Sequence, residues 1–505
     1  MARAEPGWQV IRGGRLADPA RRRAEPTDIL IEDGLIRAVG AALEAPPGTR
    51  EVDASGHLLH PGLVNAHTHA HGGLGRGQGD RWTLELLLVA APWIGGGRTL
   101  EDKRLSALLC AAEMVAKGCT AAYDLCAEVP LPTVEGLDAV ADAYDSVGMR
   151  AVIAPMVADR SLYEAVPGLL DALPDVWQRE VEKLRLRPGE EVLAAMAAAA
   201  RGWRWDAADI RFAIAPTIPH HCSDAFLCGC RDLAREHGLG LHSHVGESKV
   251  QAVVGMQRYG ATLTHHMDRL GLIGPDFTVA HGIWLDDDDL RLLADRGASL
   301  AHNPVSNLKL GNGMLRLRRA LDLGVNVGLG TDGVSSGDNA NLYEAMRAAA
   351  GLSHVQRPDP YEWASAEQVY HAATLGSAKA LGFADIGAIA PGMKADIVFL
   401  DLAVPHWMPH NGTMNQLVHA EDATAVRHVM IGGRFVYRDG RHTTIDLRRL
   451  AIEAEAARER LEAATVTQKA LFDALEPVVA SFCSGLAGRP YHLSRYVCEA
   501  PNSGV

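Results

Sequence analysis

Between residues 60 and 385 the sequence alternates short apolar segments with longer Ala- and Leu-rich segments of helical spacing. Strands that alternate with helices are typical of α/β domains with parallel strands, which restricts the fold to a few architectures. The predicted strands are residues 63–66, 119–123, 150–156, 211–215, 239–244, 277–281, 298–301 and 325–331. Eight such strands predict a TIM-like (β/α)8 barrel, although a doubly wound sheet would give a similar pattern.

The segments before and after this region have the pattern of short antiparallel strands. Apolar and polar positions alternate in them, which is typical of half-buried strands. Typical turn sequences interrupt the alternation at Gly13-Gly14, Asp33-Gly34, Ser55-Gly56 and Gly432-Gly433. We therefore expect the two ends of the chain to build one small all-β domain beside the barrel.

This pattern divides the chain into three predicted parts. They are a composite β-sandwich formed by residues 1–59 and 386–445, the barrel at 60–385, and a C-terminal helical extension at 446–505. Within the extension, residues 445–475 are rich in Ala, Glu, Arg and Leu at helical spacing. That composition predicts a long exposed helix, which we expect to pack on a partner subunit.

Two histidines stand at the end of the first apolar segment of the predicted barrel, in the sequence His67-Thr-His69. Side chains two residues apart on a strand point to the same side, so both imidazoles can bind one metal ion. Polar residues also follow later apolar segments, at His244-Val-Gly-Glu247, His281 and Asp332. In a barrel, reactive groups lie at the C-terminal ends of the strands, and this agreement favours the barrel.

From about residue 8 to residue 440 the chain resembles the amidohydrolase superfamily, in its cytosine deaminase, S-adenosylhomocysteine deaminase and triazine hydrolase branch. Besides the two histidines, the resemblance rests on specific segments of the second half of the chain. These are His302-Asn-Pro-Val-Ser-Asn-Leu-Lys-Leu-Gly-Asn-Gly313, Gly330-Thr-Asp332-Gly-Val-Ser-Ser-Gly-Asp-Asn and Pro-Gly-Met-Lys-Ala-Asp396.

The resemblance implies a metal site made by His67, His69, His244 and Asp332. Three neutral imidazoles and a carboxylate suit Zn²⁺, with Fe²⁺ as the alternative, and metal binding can lower the pKa of a bound water towards ~7. The resemblance also implies catalytic roles for three residues. Glu247 would take a proton from the attacking water and deliver it to the ring nitrogen or leaving group, Asp332 would accept a proton while ligating, and His281 would hydrogen-bond the water or the developing oxyanion.

The distribution of lysines favours one metal ion over two. Binuclear relatives usually bridge two ions with a carboxylated lysine at the end of the fourth strand. Between Gly118 and Gly240 the only lysine is Lys183, in a charged helical segment, and the predicted fourth strand contains none. We therefore expect a mononuclear site.

The loops after the strands are expected to select the substrate. A glycine-rich loop with Arg76 follows His69, and tryptophans such as Trp82 can stack on a flat ring, although each is equally suited to the core. Many nucleoside-type relatives carry Pro-His after the fourth strand, where this chain has Pro216-Thr217, and this difference weighs against adenosine-like substrates. The candidate substrate-binding residues are Arg76, Trp82, Thr217, His220, His221 and Asn303.

These features predict a metal-dependent hydrolytic deaminase of a small nitrogen heteroaromatic amine. A triazine-type chloro- or alkylamino-hydrolase and an exocyclic amide hydrolase using the same site remain open, and an inactive scaffold of the same fold is a remote alternative. Residues 328–333 match a dinucleotide-binding pattern and 333–337 a serine nucleophile elbow, but Asp332 occupies the positions that these motifs need. The H-x-E and P-C-x-x-C motifs of cytidine-deaminase-type enzymes are absent.

Composition sets the remaining expectations. The formal net charge of −13 does not favour nucleic-acid binding, and the N-terminus lacks the apolar region of a signal peptide. The apolar segment from Leu86 to Ile94 is too short to span a bilayer and is expected to be a core helix. The eight cysteines form no C-x-x-C pair, which favours reduced thiols and a cytoplasmic protein. We expect a homodimer or higher homo-oligomer that binds a small heterocyclic molecule and neither nucleic acid nor membrane.

Overall fold

The computed structural model describes residues 7–496, so residues 1–6 and 497–505, including Cys498, lie outside the description. The N-terminal strands are β1 (Trp8–Leu16), β2 (Glu25–Glu32), β3 (Leu35–Gly40), β4 (Arg50–Asp53) and β5 (His57–Pro61). Asp33 and Gly34 connect β2 to β3 with φ of 50° and 77°, the left-handed conformation that tight hairpins require. Gly13-Gly14 was predicted as a turn, and this is wrong. The pair lies within β1, where the register with β2 shifts, as in a β-bulge.

The barrel strands follow in chain order. They are β6 (Leu63–His69), β7 (Cys119–Ala127), β8 (Arg150–Val157), β9 (Ile210–Pro216), β10 (Gly240–Val245), β11 (Phe277–His281), β12 (Ser299–His302), β13 (Asn326–Leu329) and β14 (Asp332–Gly333). They form one parallel sheet in the order β13-β12-β11-β10-β9-β8-β7-β6-β14. The two end strands of this sheet, β13 and β14, are consecutive in the chain. The eighth strand of the barrel is therefore made of two short strands, and the second of them, β14, pairs with β6 and closes the ring.

The helices up to residue 419 are, in chain order, α1 (Leu84–Ile94), α2 (Leu100–Ala116), α3 (Val134–Val147), α4 (Leu162–Ala165), α5 (Leu169–Ala172), α6 (Asp175–Glu182), α7 (Gly189–Gly202), α8 (Asp224–His237), α9 (Lys249–Tyr259), α10 (Leu263–Arg269), α11 (Asp287–Arg296), α12 (Pro304–Lys309), α13 (Leu317–Asp322), α14 (Leu342–His354), α15 (Ala366–His371), α16 (Ser377–Ala380) and α17 (Thr413–His419). The first thirteen lie between barrel strands, and the last four follow β14. Local sequence sets many of their ends. Ser223, for example, accepts the Phe226 amide and caps the start of α8, and Gly238 ends that helix with a φ of 63°.

The last strands complete the small β domain. They are β15 (Ile397–Asp401), β16 (Val426–Ile431), β17 (Arg434–Arg438) and β18 (Arg441–His442). Strand β15 pairs antiparallel with β5, so the two ends of the chain share one sheet, in the order β18-β17-β16-β15-β5-β1-β2-β3 with β4 beside β1. The predicted fold class, a TIM-like barrel with a composite β domain, is therefore confirmed, while the predicted domain boundaries stay predictions.

The C-terminal extension differs from its prediction. Instead of one helix over 445–475 there are two, α18 (Leu447–Ala464) and α19 (Val466–Ala487), separated at Thr465. Within the described residues, α19 is the one helix that is long and apolar enough to cross a membrane, a criterion that soluble helices also meet. Buried side chains of α19, such as Phe472 and Leu475, join an apolar cluster with Leu86 and Val89 of α1. The expectation that Leu86–Ile94 forms a core helix is thus confirmed.

A buried ion pair joins the β domain to the barrel. Arg150, at the start of β8, donates to both carboxylate oxygens of Asp396 over 3.0 and 3.2 Å, and both side chains are 2% exposed. Asp396 also accepts the amide of Gly432 at the β16–β17 turn over 2.7 Å. The carboxylate therefore holds the barrel and the β domain together.

Replacing Asp396 by alanine should destabilise the protein by about 3 kcal/mol, because it removes one of the two carboxylates that pair with the buried Arg150, the other being Asp209, and leaves the amide of Gly432 without its acceptor. Chemical denaturation should show a clearly lower midpoint than for the wild type. The matched control is Asp473→Ala, which removes an exposed carboxylate paired with Lys469 on α19 and should cost less than ~1 kcal/mol. Equal midpoints for the two variants would contradict this assignment.

Candidate metal centre and active site

The predicted metal ligands come together at the C-terminal ends of the barrel strands. The imidazole of His67 lies 4.7 Å from that of His69 and 4.9 Å from that of His244, between ring centroids. Oδ1 of Asp332 lies 3.2 Å from Nε2 of His69 and 3.6 Å from Nε2 of His67. Strands β6, β10 and β14 supply these side chains, which are buried or nearly so.

Backbone carbonyls fix the orientation of two of the imidazoles. Nδ1 of His69 donates to the carbonyl of Leu125 and Nδ1 of His244 donates to the carbonyl of Thr217, each over 2.7 Å. In the neutral rings the unprotonated Nε2 atoms then face each other at 3.2 Å. Two lone pairs at this distance repel each other unless a cation or a proton lies between them.

The donor set fits a single divalent cation. Two nitrogen ligands at ~2.1 Å from a tetrahedral ion lie about 3.4 Å apart, close to the separation of the two Nε2 atoms. Among the described residues, neither ring nitrogen of the buried His67 has a hydrogen-bond partner, and such orphaned polar atoms are costly. A cation bound by the three imidazoles and Asp332 would satisfy both observations.

The ionisation of the cluster suits ligation. Burial lowers the pKa of His67 to about 3 and that of His244 well below its ordinary value, which keeps both rings neutral. For Asp332, burial favours the neutral acid, but the neighbouring imidazoles of His67 and His69 outweigh it and hold the pKa well below the usual range. For His69, burial lowers the pKa, but the nearby carboxylate of Asp332 outweighs it, so the net effect is a raised pKa.

Glu247 lies beside this cluster on the segment that follows β10. Its Oε1 accepts from Nδ2 of Asn312 over 3.1 Å, and its Oε2 lies 3.5 Å from Nε2 of Gln251 and 3.7 Å from Nε2 of His281. Burial, followed by the negative charges of Asp332 and Glu85, raises the pKa of Glu247 well above its ordinary value. A carboxyl group whose pKa is raised in this way is suited to general acid–base chemistry.

His281 presents its Nε2 to the same space. Its Nδ1 lies 2.9 Å from Oδ1 of Asn307, and Nε2 has no hydrogen-bond partner among the described residues. The residue has a φ of 70°, a left-handed conformation that is rare for a non-glycine residue and common at functional sites. This position supports a direct contact with a reacting molecule.

Unlike the predicted metal ligands, the candidate substrate-binding residues do not form one cluster. Asn303 is fully buried and its Nδ2 lies 3.4 Å from Nδ1 of His281, so its contact is with the His281 ring. Thr217 bears on the site through its backbone carbonyl, which accepts from His244. His220 and His221 are buried in a short 3-10 helix, Pro219–His221, and burial lowers the pKa of both.

Two of the candidate substrate-binding residues, Trp82 and Arg76, contact residues outside the cluster of predicted metal ligands. Trp82 packs against Trp93 and Phe472 in the cluster between α1 and α19, so its prediction as a stacking surface for the substrate is not supported. Arg76 forms an ion pair with Glu113 and is partly exposed. The glycine-rich loop that carries Arg76 includes a 3-10 helix, Ala70–Gly75.

Sequence reasoning missed residues that contact the site through long-range hydrogen bonds. Asn312 belongs to the segment on which the family resemblance rests, so the signal was present without a role. Glu85, in α1, accepts from Oγ of Ser248 over 2.7 Å and is buried. Ser306 donates to Oδ2 of Asp332. Nothing in the local sequence of α1 marks Glu85 as more than a helix-start carboxylate.

Comparison with known proteins shows the family directly. The model of the amidohydrolase family matches residues 58–436, and the chain belongs to this family. The 5′-deoxyadenosine deaminase of Methanosarcina mazei is 33% identical over 447 residues, 88% of this chain and 96% of that protein. The 5-methylthioadenosine/S-adenosylhomocysteine deaminase of Syntrophobacter fumaroxidans is 34% identical over 435 residues, 85% and 92% of the two chains.

Solved structures agree. An adenosine deaminase from Xanthomonas campestris with bound zinc superposes with a TM-score of 0.79 at 27% identity, covering 91% of this chain and all of that one. The atrazine chlorohydrolase of Arthrobacter aurescens TC1 in complex with zinc gives a TM-score of 0.79 at 26% identity, covering 89% and 99%. The predicted superfamily, and the prediction of a hydrolase that acts on C–N bonds other than peptide bonds, are confirmed.

Metal content should depend on the facing imidazoles. His244→Ala removes one nitrogen donor, and we expect its metal content, measured by elemental analysis after dialysis, to fall at least tenfold below that of the wild type. His371→Ala, which changes an exposed histidine on α15, is the matched control and should keep full metal content. A wild-type chain that binds no stoichiometric zinc or iron would end the metal-site interpretation.

Proposed function

We propose that this amidohydrolase is a metal-dependent hydrolytic deaminase of a small nitrogen heteroaromatic amine, with adenine nucleosides as the first substrate class to test. The observation that carries the proposal is the pair of Nε2 atoms of His69 and His244, 3.2 Å apart, beside a protonatable Glu247. A cation site next to a buried proton carrier is the arrangement that hydrolysis at an electron-poor ring carbon requires.

In this proposal His67, His69, His244 and Asp332 hold one zinc ion. A divalent ion bound by these residues would lower the pKa of a water molecule towards ~7 and so would make hydroxide available at neutral pH. Zinc is favoured over Fe²⁺ because solved relatives of this fold contain zinc. Lys183 is exposed at the end of α6, and β9 contains no lysine, which supports a mononuclear centre.

Side chains of the protein transfer the protons of this reaction and orient the groups that do so. Glu247 takes up the proton released by the attacking water and delivers it to the ring nitrogen or the leaving amine. Asn312, through its hydrogen bond to Oε1, keeps the carboxyl group oriented. His281 offers its unpartnered Nε2 to the attacking water, and its Nδ1 is held by Asn307.

The relatives favour adenine nucleosides as the substrate, against the expectation drawn from Thr217. The carbonyl of Thr217 orients His244, a contact that a backbone atom makes whatever the side chain is. Glu85 is a buried carboxylate whose Oε1 is held by Ser248, and a carboxylate oxygen can accept hydrogen bonds from sugar hydroxyl groups.

The same proposal includes a cytoplasmic homo-oligomer. The described cysteines are all free thiols, which supports a reducing compartment. On α18, Leu447 and Ile452 are 53% and 74% exposed, which supports contact of that helix with another copy. Sedimentation of the purified protein measures the oligomeric state.

Replacing Glu247 by glutamine should keep the metal and lower kcat by about 10²- to 10⁴-fold, because an amide cannot relay a proton. Stopped assays of ammonia release with metal analysis on the same sample measure both quantities. Glu367→Gln, an exposed position on α15, is the matched control and should retain wild-type kcat. A Glu247 variant with wild-type kcat would remove this residue from the mechanism.

The substrate class can be decided by the group that is released. With zinc supplied, 5′-deoxyadenosine and 5-methylthioadenosine should give ammonia and the corresponding inosine, seen as a shift in ultraviolet absorption. The similar fold of the atrazine chlorohydrolase makes a triazine the second candidate, for which chloride or an alkylamine is the product to measure. Chloride release without ammonia release from any purine, pterin or pyrimidine would replace the deaminase proposal by the triazine one.

A further inference from the structure

The C-terminal extension, which follows the part of the chain matched by the family model, returns to the active site. Helix α19 packs on α1 and α9, and its end leads into residues 489–496, called the clasp here. The clasp lies against two loops of the barrel. One is residues 282–286, after β11, and the other is residues 310–315, after α12.

Arg495 makes the central contacts of the clasp. Its Nε donates to the carbonyl of Ile283 and its Nη2 to the carbonyl of Leu285, each over 2.7 Å. Its own carbonyl accepts the amide of Met314 over 3.0 Å. Arg495 is only 8% exposed, and hydrogen bonds from a charged donor are among the stronger ones in proteins. One residue therefore ties both loops together.

Aromatic side chains of the clasp also surround Trp284, which lies on the first loop. The rings of Tyr496 and Tyr491 lie 5.2 and 6.1 Å from that of Trp284, in edge-to-face arrangements. Nε2 of His492 lies 3.0 Å from Oδ2 of Asp286. The tyrosines of the clasp thus pack against the ring of Trp284 and restrict its position.

Trp284 connects the clasp to the proton carrier. Its Nε1 donates to the carbonyl of Asn312 over 2.8 Å, and Nδ2 of Asn312 donates to Oε1 of Glu247 over 3.1 Å. The amide of Trp284 also donates to the carbonyl of Gly246, the neighbour of Glu247, over 2.8 Å. Asn312 therefore contacts the carboxyl group of Glu247, and Trp284 contacts both Asn312 and the neighbour of Glu247.

A purely structural role for the clasp would not require this route. A buried guanidinium is energetically unfavourable unless it is hydrogen-bonded. Arg495 donates to two carbonyls of the loop that carries Trp284, and Trp284 in turn donates to the carbonyl of Asn312. Loops at the mouth of a barrel move more than its strands, so the position of Asn312 needs support. A displacement of about 1 Å at a reacting group can lower a rate by ~10²-fold.

We propose that the clasp, residues 489–496, positions Glu247 for proton transfer through Trp284 and Asn312, and that Arg495 is its main positioning residue. The inference rests on the proposed function, because it assigns the clasp to the proton carrier of that reaction. It adds to the site a segment that lies outside the family match.

The first test is kinetic. Arg495→Ala should lower kcat with 5′-deoxyadenosine by ~10- to 100-fold while KM changes less than ~3-fold and zinc content stays at the wild-type value. Arg495→Lys, which keeps the charge with a single donor group, should recover part of the loss. Arg448→Ala, at an exposed position of α18 outside the clasp, is the matched control and should retain wild-type kcat. Wild-type kcat for Arg495→Ala would overturn the proposal.

The second test separates positioning from stability. If Arg495 acts through Asn312, then Arg495→Ala in an Asn312→Ala background should lower kcat less than ~3-fold further. Losses that simply multiply would mean that the two residues act independently, and the proposal would be wrong.

Hydrogen exchange distinguishes failure of the clasp from failure of the proposed function. Arg495→Ala should speed amide exchange in residues 282–286 and 310–315 and leave the strands unchanged. Unchanged exchange in both loops would overturn the clasp whatever the substrate is. If the wild type releases no ammonia from any amine tested, the proposed function fails, and the positioning of Glu247 for that reaction fails with it, even where exchange shows the clasp to be present.

Discussion

The pairing of the first barrel strand with the last is the constraint on which the site depends. Asp332 lies opposite Thr68 and Gly333 lies opposite His69 in the ladder between β14 and β6. Closing the barrel therefore places the carboxylate next to the two histidines without any contribution from a loop. At the break between β13 and β14, a Cβ on Gly330 would lie 2.2 Å from Oδ1 of Asn303, so that position has room only for glycine.

The closure of the barrel also makes the arrangement of these side chains energetically unfavourable in the absence of a bound cation. The ring nitrogens of His67 and Nε2 of His281 are buried without hydrogen-bond partners among the described residues, and unpaired polar atoms in a protein interior are destabilising. The carbonyls of Leu125 and Thr217 fix two imidazoles with their Nε2 atoms facing each other, so the backbone of neighbouring strands selects the tautomer that can bind a metal. Binding of a metal would offset the unfavourable free energy of this arrangement. Metal affinity and folding stability are therefore coupled.

The sequence predicted most of this arrangement because the signals are local. Each predicted barrel strand is present, and the histidines and Asp332 stand at strand ends as expected, since apolar runs and the residues that end them are read from neighbouring positions. The residues that were missed act over long sequence separations. Asn312 is 65 residues from Glu247 and Arg495 is 212 residues from Ile283, and no periodicity connects such pairs. The sequence left the role of Trp82 open between the core and the substrate, because its apolar partner Phe472 lies in an extension whose packing no local pattern indicates.

The raised pKa of Glu247 bears on which leaving group the site can handle. An amine departs as neutral ammonia only after it has received a proton, whereas chloride departs as an anion without one. Burial and the charges of Asp332 and Glu85 raise the pKa of Glu247, whereas the amide N–H groups of Asn312 and Gln251 donate to its oxygens and favour the ionised form. A carboxyl group with this balance can both accept a proton and supply the proton that a departing amine needs. The metal cluster alone does not distinguish the two reactions, so this difference has to come from the surroundings of Glu247.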